Sequence, residues 1–268
     1  MKKLCVALMS LFMVLSLSAC GGNDKPQEPT TTPVPTETSE PSETVEPIDA
    51  SKVMSHEEYM AAELESLVTV EAYVQGHQSW WDNKVTVYAQ DQDGAYFFYN
   101  LACSEEDAAK LVPGTKILVE GYKAEWSGEF EIMDGRFEIV ENADTFVAEA
   151  ADLTSLLGTE ELAAHQNEKV AFKGLTVEAS TNADGEEVAF LYGGEGTGSK
   201  EANSDLYFNV SYNGETFTFC VESYLCDNTT DVYAAVEALE IGDVIDCEGF
   251  LYWYNGANPH ITSLTVNK

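Results

Sequence analysis

The sequence has 268 residues with 47 acidic and 13 basic side chains, which gives a formal net charge of -34 at neutral pH. Arg136 is the only arginine, so few side chains are available to bind phosphate groups, and a field of this sign repels nucleic acid and anionic membrane surfaces. We therefore do not expect nucleic acid as a partner. The charge is typical of a solvated, self-repelling surface on the cell exterior. Acidic residues gathered for calcium or a cationic ligand are the alternative.

The N-terminus has the pattern of an export signal. Lys2 and Lys3 precede an apolar run that is too short for a stable membrane span, and small residues follow it. The sequence Leu-Ser-Ala-Cys at residues 17–20 resembles the lipobox of bacterial lipoproteins. The resemblance implies that residues 1–19 are removed and that Cys20 carries a diacylglyceryl group, so that two acyl chains hold the protein on the extracytoplasmic face of the cell membrane. An ordinary secretory signal with a stray cysteine is the alternative.

Residues 20–50 are predicted to form a disordered tether. The stretch is rich in proline, threonine and glutamate, and residues 23–49 contain no aromatic side chain. Such a composition cannot build a hydrophobic core, and its like charges extend the chain. The folded part is therefore expected to start near Ser55 and to consist of two domains, at residues 51–146 and 147–268.

An internal repeat predicts these two domains. Residues 111–128 (LVPGTKILVEGYKAEWSG) return as residues 239–256 (LEIGDVIDCEGFLYWYNG), with six of 18 positions identical and no gap. Each copy has the pattern of a turn, an alternating strand, a glycine kink and a hairpin with aromatic residues at its tip. We expect Gly121 and Gly249 to let the strand bend as a barrel closes, rather than to admit a ligand.

The first domain has the element order strand, strand, strand, helix, strand, strand. A capping box at Ser55 and Glu58 opens a short helix before the first strand, and Ser104 caps the helix that follows the third. This order resembles the OB-fold, a small Greek-key barrel with a helix between strands three and four. The first three strands are predicted at residues 68–74, 84–90 and 95–101. The motif at residues 111–128 supplies the fourth strand and the turn into the fifth, which is predicted at residues 129–133 with FEIV (137–140) after it.

The second domain repeats this order. A helix over residues 152–166, interrupted at Gly158, precedes strands at 169–179, 206–212 and 215–221, then a helix at 231–239 and the repeated motif. The insertion at residues 179–204 includes one extra predicted strand at 187–192. The fold class is thus mainly β: two tandem OB-fold-like five-stranded barrels with short helices. Paired domains of this kind resemble a group of surface lipoproteins of Gram-positive type whose activity is unassigned.

Aromatic residues in the loops are the candidate ligand-binding residues. In OB-folds that bind ligands, the site lies over strands two and three, between the loop joining strands one and two and the loop joining strands four and five. Exposed indoles at such loop tips stack on sugar rings or nucleobases. The candidates are Trp80, Trp81, Trp126, Tyr252, Tyr254 and His260.

Each candidate has a structural alternative. The tryptophans of the first domain are also suited to close the open end of the barrel. Strand alternation places Tyr252 and Tyr254 on one face and Trp253 on the other, and His260 is suited to be a bonded polar group at a strand start.

No cofactor or metal site is predicted. Four cysteines remain after export, Cys103, Cys220, Cys226 and Cys247, and they form no CxxC pair and no Cys/His cluster. We expect buried thiols, with a bridge from Cys220 to Cys226 or Cys247 as the alternative. The Asp-rich stretch at residues 91–94 lacks the later glutamate of a calcium loop and favours a hairpin turn.

The functional prediction is a non-enzymatic, membrane-anchored binding or scaffold lipoprotein whose ligand is a carbohydrate or a protein. A hydrolase of the cell wall or of glycans, or an accessory to one, is the alternative, and it requires a facing pair of carboxyl groups. Nucleic-acid binding by analogy with other OB-folds is the third.

Overall fold

The structure is a computed structural model that describes residues 46–267. The predicted signal peptide, Cys20 and most of the predicted tether lie outside the described residues. The described chain is mainly β, with 44% of residues in strands and 13% in helices. None of its helices has the length and apolar character needed to cross a bilayer.

The first barrel has five strands that close in the order β1-β2-β3-β5-β4. Neighbouring strands are antiparallel except β3 and β5, which run parallel. Its elements are α1 (His56–Ala61), β1 (Leu67–His77), β2 (Lys84–Gln90), β3 (Ala95–Ala102), α2 (Glu105–Ala108), β4 (Lys116–Trp126) and β5 (Glu129–Ile139), after a 3-10 turn at Ala50–Lys52.

The second barrel closes in the equivalent order, β7-β11-β12-β14-β13, through pairing of β11 with β7. Short strands extend its edges. Its strands are β6 (Ala151–Asp152), β7 (Lys169–Glu178), β8 (Ser180–Thr181), β9 (Glu187–Val188), β10 (Leu191–Tyr192), β11 (Leu206–Tyr212), β12 (Glu215–Val221), β13 (Val244–Phe250) and β14 (His260–Asn267). Its α-helix is α3 (Asp231–Glu237), and 3-10 helices lie at Thr154–Leu156 and Glu160–His165. The two tandem OB-fold-like barrels are thus confirmed.

Local signals account for most element boundaries. Ser55 and Glu58 form the predicted capping box, in which the Glu58 amide donates to the Ser55 hydroxyl at 3.2 Å and the Ser55 amide donates to the Glu58 carboxylate at 2.9 Å. Asn213 and Gly214 both have positive φ, the conformation that a tight two-residue hairpin needs, and they join β11 to β12.

Three local expectations differ from the structure. The segment 152–166 forms two 3-10 helices instead of an α-helix, and Gly158, at φ +82°, separates them. The predicted strand at 187–192 is divided between β9 and β10. The chain also packs onto the first barrel before Ser55, since Ile48 is buried and its amide donates to Glu138 at 2.8 Å.

The repeated glycines allow close backbone contact. The strand register shifts at Gly121 and at Gly249, as in a β-bulge. A Cβ atom on Gly249 would lie 2.1 Å from the carbonyl oxygen of His260, and one on Gly121 would lie 2.7 Å from Ile132. Neither site has room for a side chain, which agrees with the predicted role in strand bending.

The two barrels pack directly on each other. Tyr88 of β2 stacks on Phe250 of β13 with ring centroids 4.3 Å apart and an angle of 6° between the planes. Phe97 of β3 completes this buried cluster. The outer face of β2 and β3 in the first barrel is therefore partly covered by the second.

The two copies of the repeated hairpin also meet. The amide of Asn255 donates to the carbonyl of Ser127 at 2.7 Å. Glu129, at the start of β5, is completely buried and accepts from the side chain of Asn167 at 2.6 Å and from the amide of Trp253 at 2.8 Å. The described residues accordingly belong to one compact unit.

Candidate functional site

A cavity of about 870 Å³ lies where the two barrels meet. We call it the inter-barrel cleft. Both barrels contribute ring side chains to its wall. These are Phe97, Tyr99, Trp126, Tyr207, Phe217, Tyr252, Trp253, Tyr254 and His260. The remaining polar side chains of the wall are Gln78, Thr159, Thr216, Thr218, Glu222, Asn255 and Asn258.

Strand alternation on β3 places two rings of the first barrel in the cleft. Tyr96 and Phe98 are buried in the barrel core, so Phe97 and Tyr99 point to the opposite face. Phe97 is itself buried and contacts Tyr252 of the second barrel edge to face, with centroids 5.4 Å apart. Tyr99 remains 40% exposed and is free to contact a ligand.

The second wall comes from β11 and β12. Tyr207 lies on the outer face of β11, and Thr216 and Thr218 lie on the outer face of β12. Phe217, between them, packs against the core of the second barrel and also lines the cleft. These strands are the second and third of the second barrel, so their outer surface is the one where ligand-binding OB-folds place their site. The equivalent face of the first barrel is used mainly for contact between the barrels.

The loop from β13 to β14 brings three consecutive aromatic residues to the cleft. Tyr252, Trp253 and Tyr254 all line it. Tyr252 packs on the cluster between the barrels and Trp253 packs on the core of the second barrel. Strand β13 ends at Phe250, so all three residues lie beyond the strand. Tyr254 is 54% exposed.

His260 is a buried member of the wall. Its Nδ1 atom lies 2.9 Å from the Tyr88 hydroxyl, and its ring stacks on Tyr252 with centroids 4.4 Å apart. Burial lowers the pKa of His260 to about 3, so the ring is neutral at physiological pH. It is a bonded polar group at the start of β14, and it also lines the cleft.

Glu222 is the single carboxyl group among the residues that line the cleft, all of which fall within the described part of the chain. Its two oxygens accept from the amides of Tyr224 at 3.0 Å and Leu225 at 2.9 Å. Burial raises the pKa of this carboxyl to about 7, although these bonds and one from Gln78 act in the opposite direction. A glycosidase site needs two facing carboxyl groups, and this wall offers one.

The structure separates the predicted tryptophans. Trp126 lines the inter-barrel cleft and is 60% exposed. Trp80 packs against the core of the first barrel and donates from Nε1 to the carbonyl of Cys103 at 3.1 Å, so it has the barrel-closing role. Trp81 is 73% exposed and lines an adjoining cavity. The cleft therefore brings together four of the six candidates, Trp126, Tyr252, Tyr254 and His260.

The four cysteines of the described chain carry free thiols. Cys220, Cys226 and Cys247 are buried and Cys103 is half-buried. Burial raises the pKa of the Cys226 thiol to about 11 and that of Cys247 to about 12, which keeps both thiols protonated and unreactive. Within residues 46–267 no group of three or more His, Cys, Asp or Glu residues has the arrangement of a metal site.

Sequence reasoning missed the strand residues of the wall. Phe97, Tyr99 and Tyr207 lie on strands whose opposite face is buried, and Phe217 lies on the core side of β12. A strand with large apolar residues on both faces is covered on both sides or exposes a binding surface. The run Tyr-Phe-Phe-Tyr at residues 96–99 is such a signal.

Comparison with known proteins gives structural matches only. No family model matches the sequence, and no curated protein matches it. Among solved structures, the chain is similar to a murine DNA-binding protein bound to double-stranded DNA, with 13% identity, a TM-score of 0.33, and 75% of this chain and 95% of that one covered. It is also similar to the Ifi202 HINa domain in complex with a DNA duplex, with 11% identity, a TM-score of 0.31, and 76% of this chain and 96% of that one covered. A third match is a replication protein A heterotrimer bound to single-stranded DNA, with 10% identity, a TM-score of 0.28, and 76% of this chain and 49% of that one covered.

These matches correct one expectation. Nucleic acid was excluded as a partner because the chain is strongly acidic. DNA-bound structures are among the matches over three quarters of the chain, so net charge alone does not justify that exclusion. At these TM-scores the matches assign no ligand to this chain, and DNA has to be tested alongside other ligands.

Proposed function

We propose that this protein is a non-enzymatic binding module that holds a carbohydrate in the inter-barrel cleft. The observation that carries the proposal is the wall of the cleft, in which exposed aromatic rings stand beside uncharged amide and hydroxyl groups. Aromatic faces provide large, rigid contact surfaces, and a few polar groups orient the ligand. A sugar, with its apolar ring faces and its hydroxyl rim, matches both kinds of group.

The size and concavity of the cleft favour a small ligand over a flat protein surface. Ligand sites are typically concave and have volumes of roughly 300–1,000 Å³, and the inter-barrel cleft has about 870 Å³. The wall is built from the two barrels together and is fixed by the bonds of Glu129 and Asn255. Little conformational entropy is then lost when the ligand binds.

The proposal includes the membrane anchor. Lipidation of Cys20, which lies outside the described residues, would hold the two barrels on the extracytoplasmic face of the membrane. A binding module in that position meets glycans of the cell envelope and of the surroundings.

The test is calorimetric titration of the full-length protein in detergent micelles. The first probes are hexasaccharides of β-1,4-linked glucose and of β-1,4-linked N-acetylglucosamine. A glycan array identifies further glycans, which are then titrated in the same way. Trp126→Ala and Tyr254→Ala should each weaken binding about tenfold, as expected for the loss of one stacked ring. Tyr122→Ala is the matched control, because Tyr122 is similarly exposed but lines neither the inter-barrel cleft nor the adjoining cavity.

Two further measurements separate this proposal from its alternatives. Incubation with the bound glycan should release no reducing ends, whereas steady release would establish a hydrolase. Oligo(dT) and a DNA duplex are titrated at low salt, where binding to phosphates is strongest. Binding of DNA in preference to every glycan would replace carbohydrate by nucleic acid as the ligand.

A further inference from the structure

A second cavity adjoins the inter-barrel cleft. It has a volume of about 340 Å³ and we call it the side cleft. Gln78, Tyr99 and Glu222 line both cavities, so the two adjoin at these three side chains. The side cleft adds two further exposed aromatic residues, Trp81 and Tyr224.

A tight turn presents Trp81 at the rim of the side cleft. Asp82 and Asn83 both have positive φ, at 47° and 59°, as in the turn that suits a two-residue hairpin. The amide of Trp81 donates to the carbonyl of Lys84 at 3.0 Å, and the amide of Lys84 donates back at 2.9 Å. Two backbone hydrogen bonds thus hold the turn, and the Trp81 indole is 73% exposed. The turn fixes the backbone of Trp81 and leaves its ring accessible to a ligand.

The other part of the side cleft comes from the second barrel. The carbonyl of Tyr224 accepts from the amide of Ser79 at 2.6 Å and from the Ser79 hydroxyl at 3.2 Å. These bonds tie the loop that carries Trp81 to the loop that carries Tyr224. The side cleft, like the inter-barrel cleft, exists only because the two barrels are packed together.

We infer that the two clefts are consecutive subsites for one linear, uncharged oligosaccharide, with Tyr99 at the junction. The inference rests on the proposed function of the inter-barrel cleft. Exposed aromatic rings occur in both cavities, Trp81 and Tyr224 in one and Trp126 and Tyr254 in the other. We call this row of exposed rings along the two cavities the aromatic track. An oligosaccharide presents a sugar ring face at every unit, so it matches the aromatic track.

The polar groups of the side cleft agree with this class of ligand. Apart from Lys84 and Glu222, one of each sign, its polar side chains are uncharged. They are the amides of Gln78 and Asn100 and the hydroxyls of Ser79, Thr86, Tyr99 and Tyr224. Amides and hydroxyls pair with sugar hydroxyls without the desolvation cost of a buried charge.

The experiment measures affinity against chain length. Mono-, di-, tetra- and hexasaccharides of the glycan that binds best are titrated into the full-length protein and into Trp81→Ala, Trp81→Phe and Trp126→Ala. Affinity should rise about tenfold between the disaccharide and the hexasaccharide. Trp81→Ala should remove this gain and leave the affinity for the disaccharide unchanged, and Trp81→Phe should restore most of it. Trp126→Ala should weaken the binding of every length.

The outcomes distinguish this inference from the proposed function. If affinity does not change with length, or if Trp81→Ala leaves the hexasaccharide unaffected, the side cleft is not a subsite, although the inter-barrel cleft still binds sugar. If no glycan of any length binds, both proposals are wrong. If oligo(dT) binds in a length-dependent way that Trp81→Ala abolishes and no glycan does, the aromatic track is a nucleic-acid site and the inference of an oligosaccharide is wrong.

Discussion

Replacing Glu129 with glutamine tests whether a buried carboxyl group that joins the two barrels makes the stability of the protein depend on pH. Glu129 has no exposed surface and accepts two hydrogen bonds across the contact between the barrels, from Asn167 and Trp253. Burial raises its pKa from 4.5 to about 8, and the charge of Glu131 adds to the rise, while the two hydrogen bonds oppose it. The carboxyl is therefore mostly protonated at neutral pH in the folded protein.

The sign and size of the effect follow from this shift. Because the folded-state pKa of Glu129 is above the unfolded one, its contribution to stability is complete below pH 4.5 and is lost as pH rises through about 8. One pKa unit corresponds to ~1.4 kcal/mol, so the full shift corresponds to ~5 kcal/mol. Relaxation and water entry reduce such penalties, and we expect a loss of ~2–5 kcal/mol across this range.

The assay is urea denaturation followed by tryptophan fluorescence, at several pH values between about 5 and 9. Glu129→Gln keeps the shape of the side chain and removes its charge, so the free energy of unfolding of this variant should vary less with pH. It also replaces one of the two acceptor oxygens by an NH2 group, which cannot accept the bond from Asn167 or Trp253. The variant therefore loses a roughly constant amount of stability, and the comparison is made on the pH dependence alone. Glu222, with its raised pKa, and His260, with its lowered pKa, also make stability depend on pH, but both proteins share them and the difference between the two curves removes them.

One result would refute the reasoning. If the free energies of unfolding of the wild type and Glu129→Gln differ by a constant amount over the whole pH range, Glu129 does not change its protonation on unfolding. The carboxyl would then be ionised in the folded protein, and the desolvation argument would be wrong.

Three further predictions concern packing and anchoring. Gly249→Ala should destabilise the protein by ~3 kcal/mol or more, because its Cβ would overlap a backbone carbonyl. Gly194→Ala, whose Cβ would meet only the Tyr207 ring at 3.9 Å, should cost less than ~1 kcal/mol. Equal effects would contradict the bulge argument. A double-mutant cycle of Tyr88→Leu and Phe250→Leu should give a coupling energy of ~0.5–1.5 kcal/mol for the stacked pair, and no coupling would contradict direct packing of the barrels. Cys20→Ser should abolish fatty-acid labelling and release the protein from membranes, and retention there would contradict the lipid anchor.

Local sequence signals were sufficient for most of the fold. The predicted strands at 84–90, 206–212 and 215–221 coincide with β2, β11 and β12, because side-chain alternation and turn residues act over a few positions. The repeat at 111–128 and 239–256 identified strand four in both barrels. The segment at 152–166 was predicted less well, because its apolar spacing suits a helix but does not show whether the helix is α or 3-10.

The candidate site was only partly predictable. The sequence by itself identified aromatic residues near the ends of strands, among them Trp126, Tyr252 and Tyr254, and it predicted correctly that Gly121 and Gly249 belong to the architecture. It did not show that Trp80 is used to close the barrel and that Trp81 is not, because that choice depends on which side of a short loop packs on the core.

Only the tertiary structure showed that the candidate aromatic residues meet in a cleft between the barrels. Alternation identifies Phe97 and Tyr99 as neighbours on one face of β3, but it does not show what covers that face. The cover is the second barrel, held by the stack of Tyr88 on Phe250 and by the bonds of Glu129. These contacts join residues far apart in the chain, and the fit of two packed surfaces depends on the shapes of both, which no local pattern encodes.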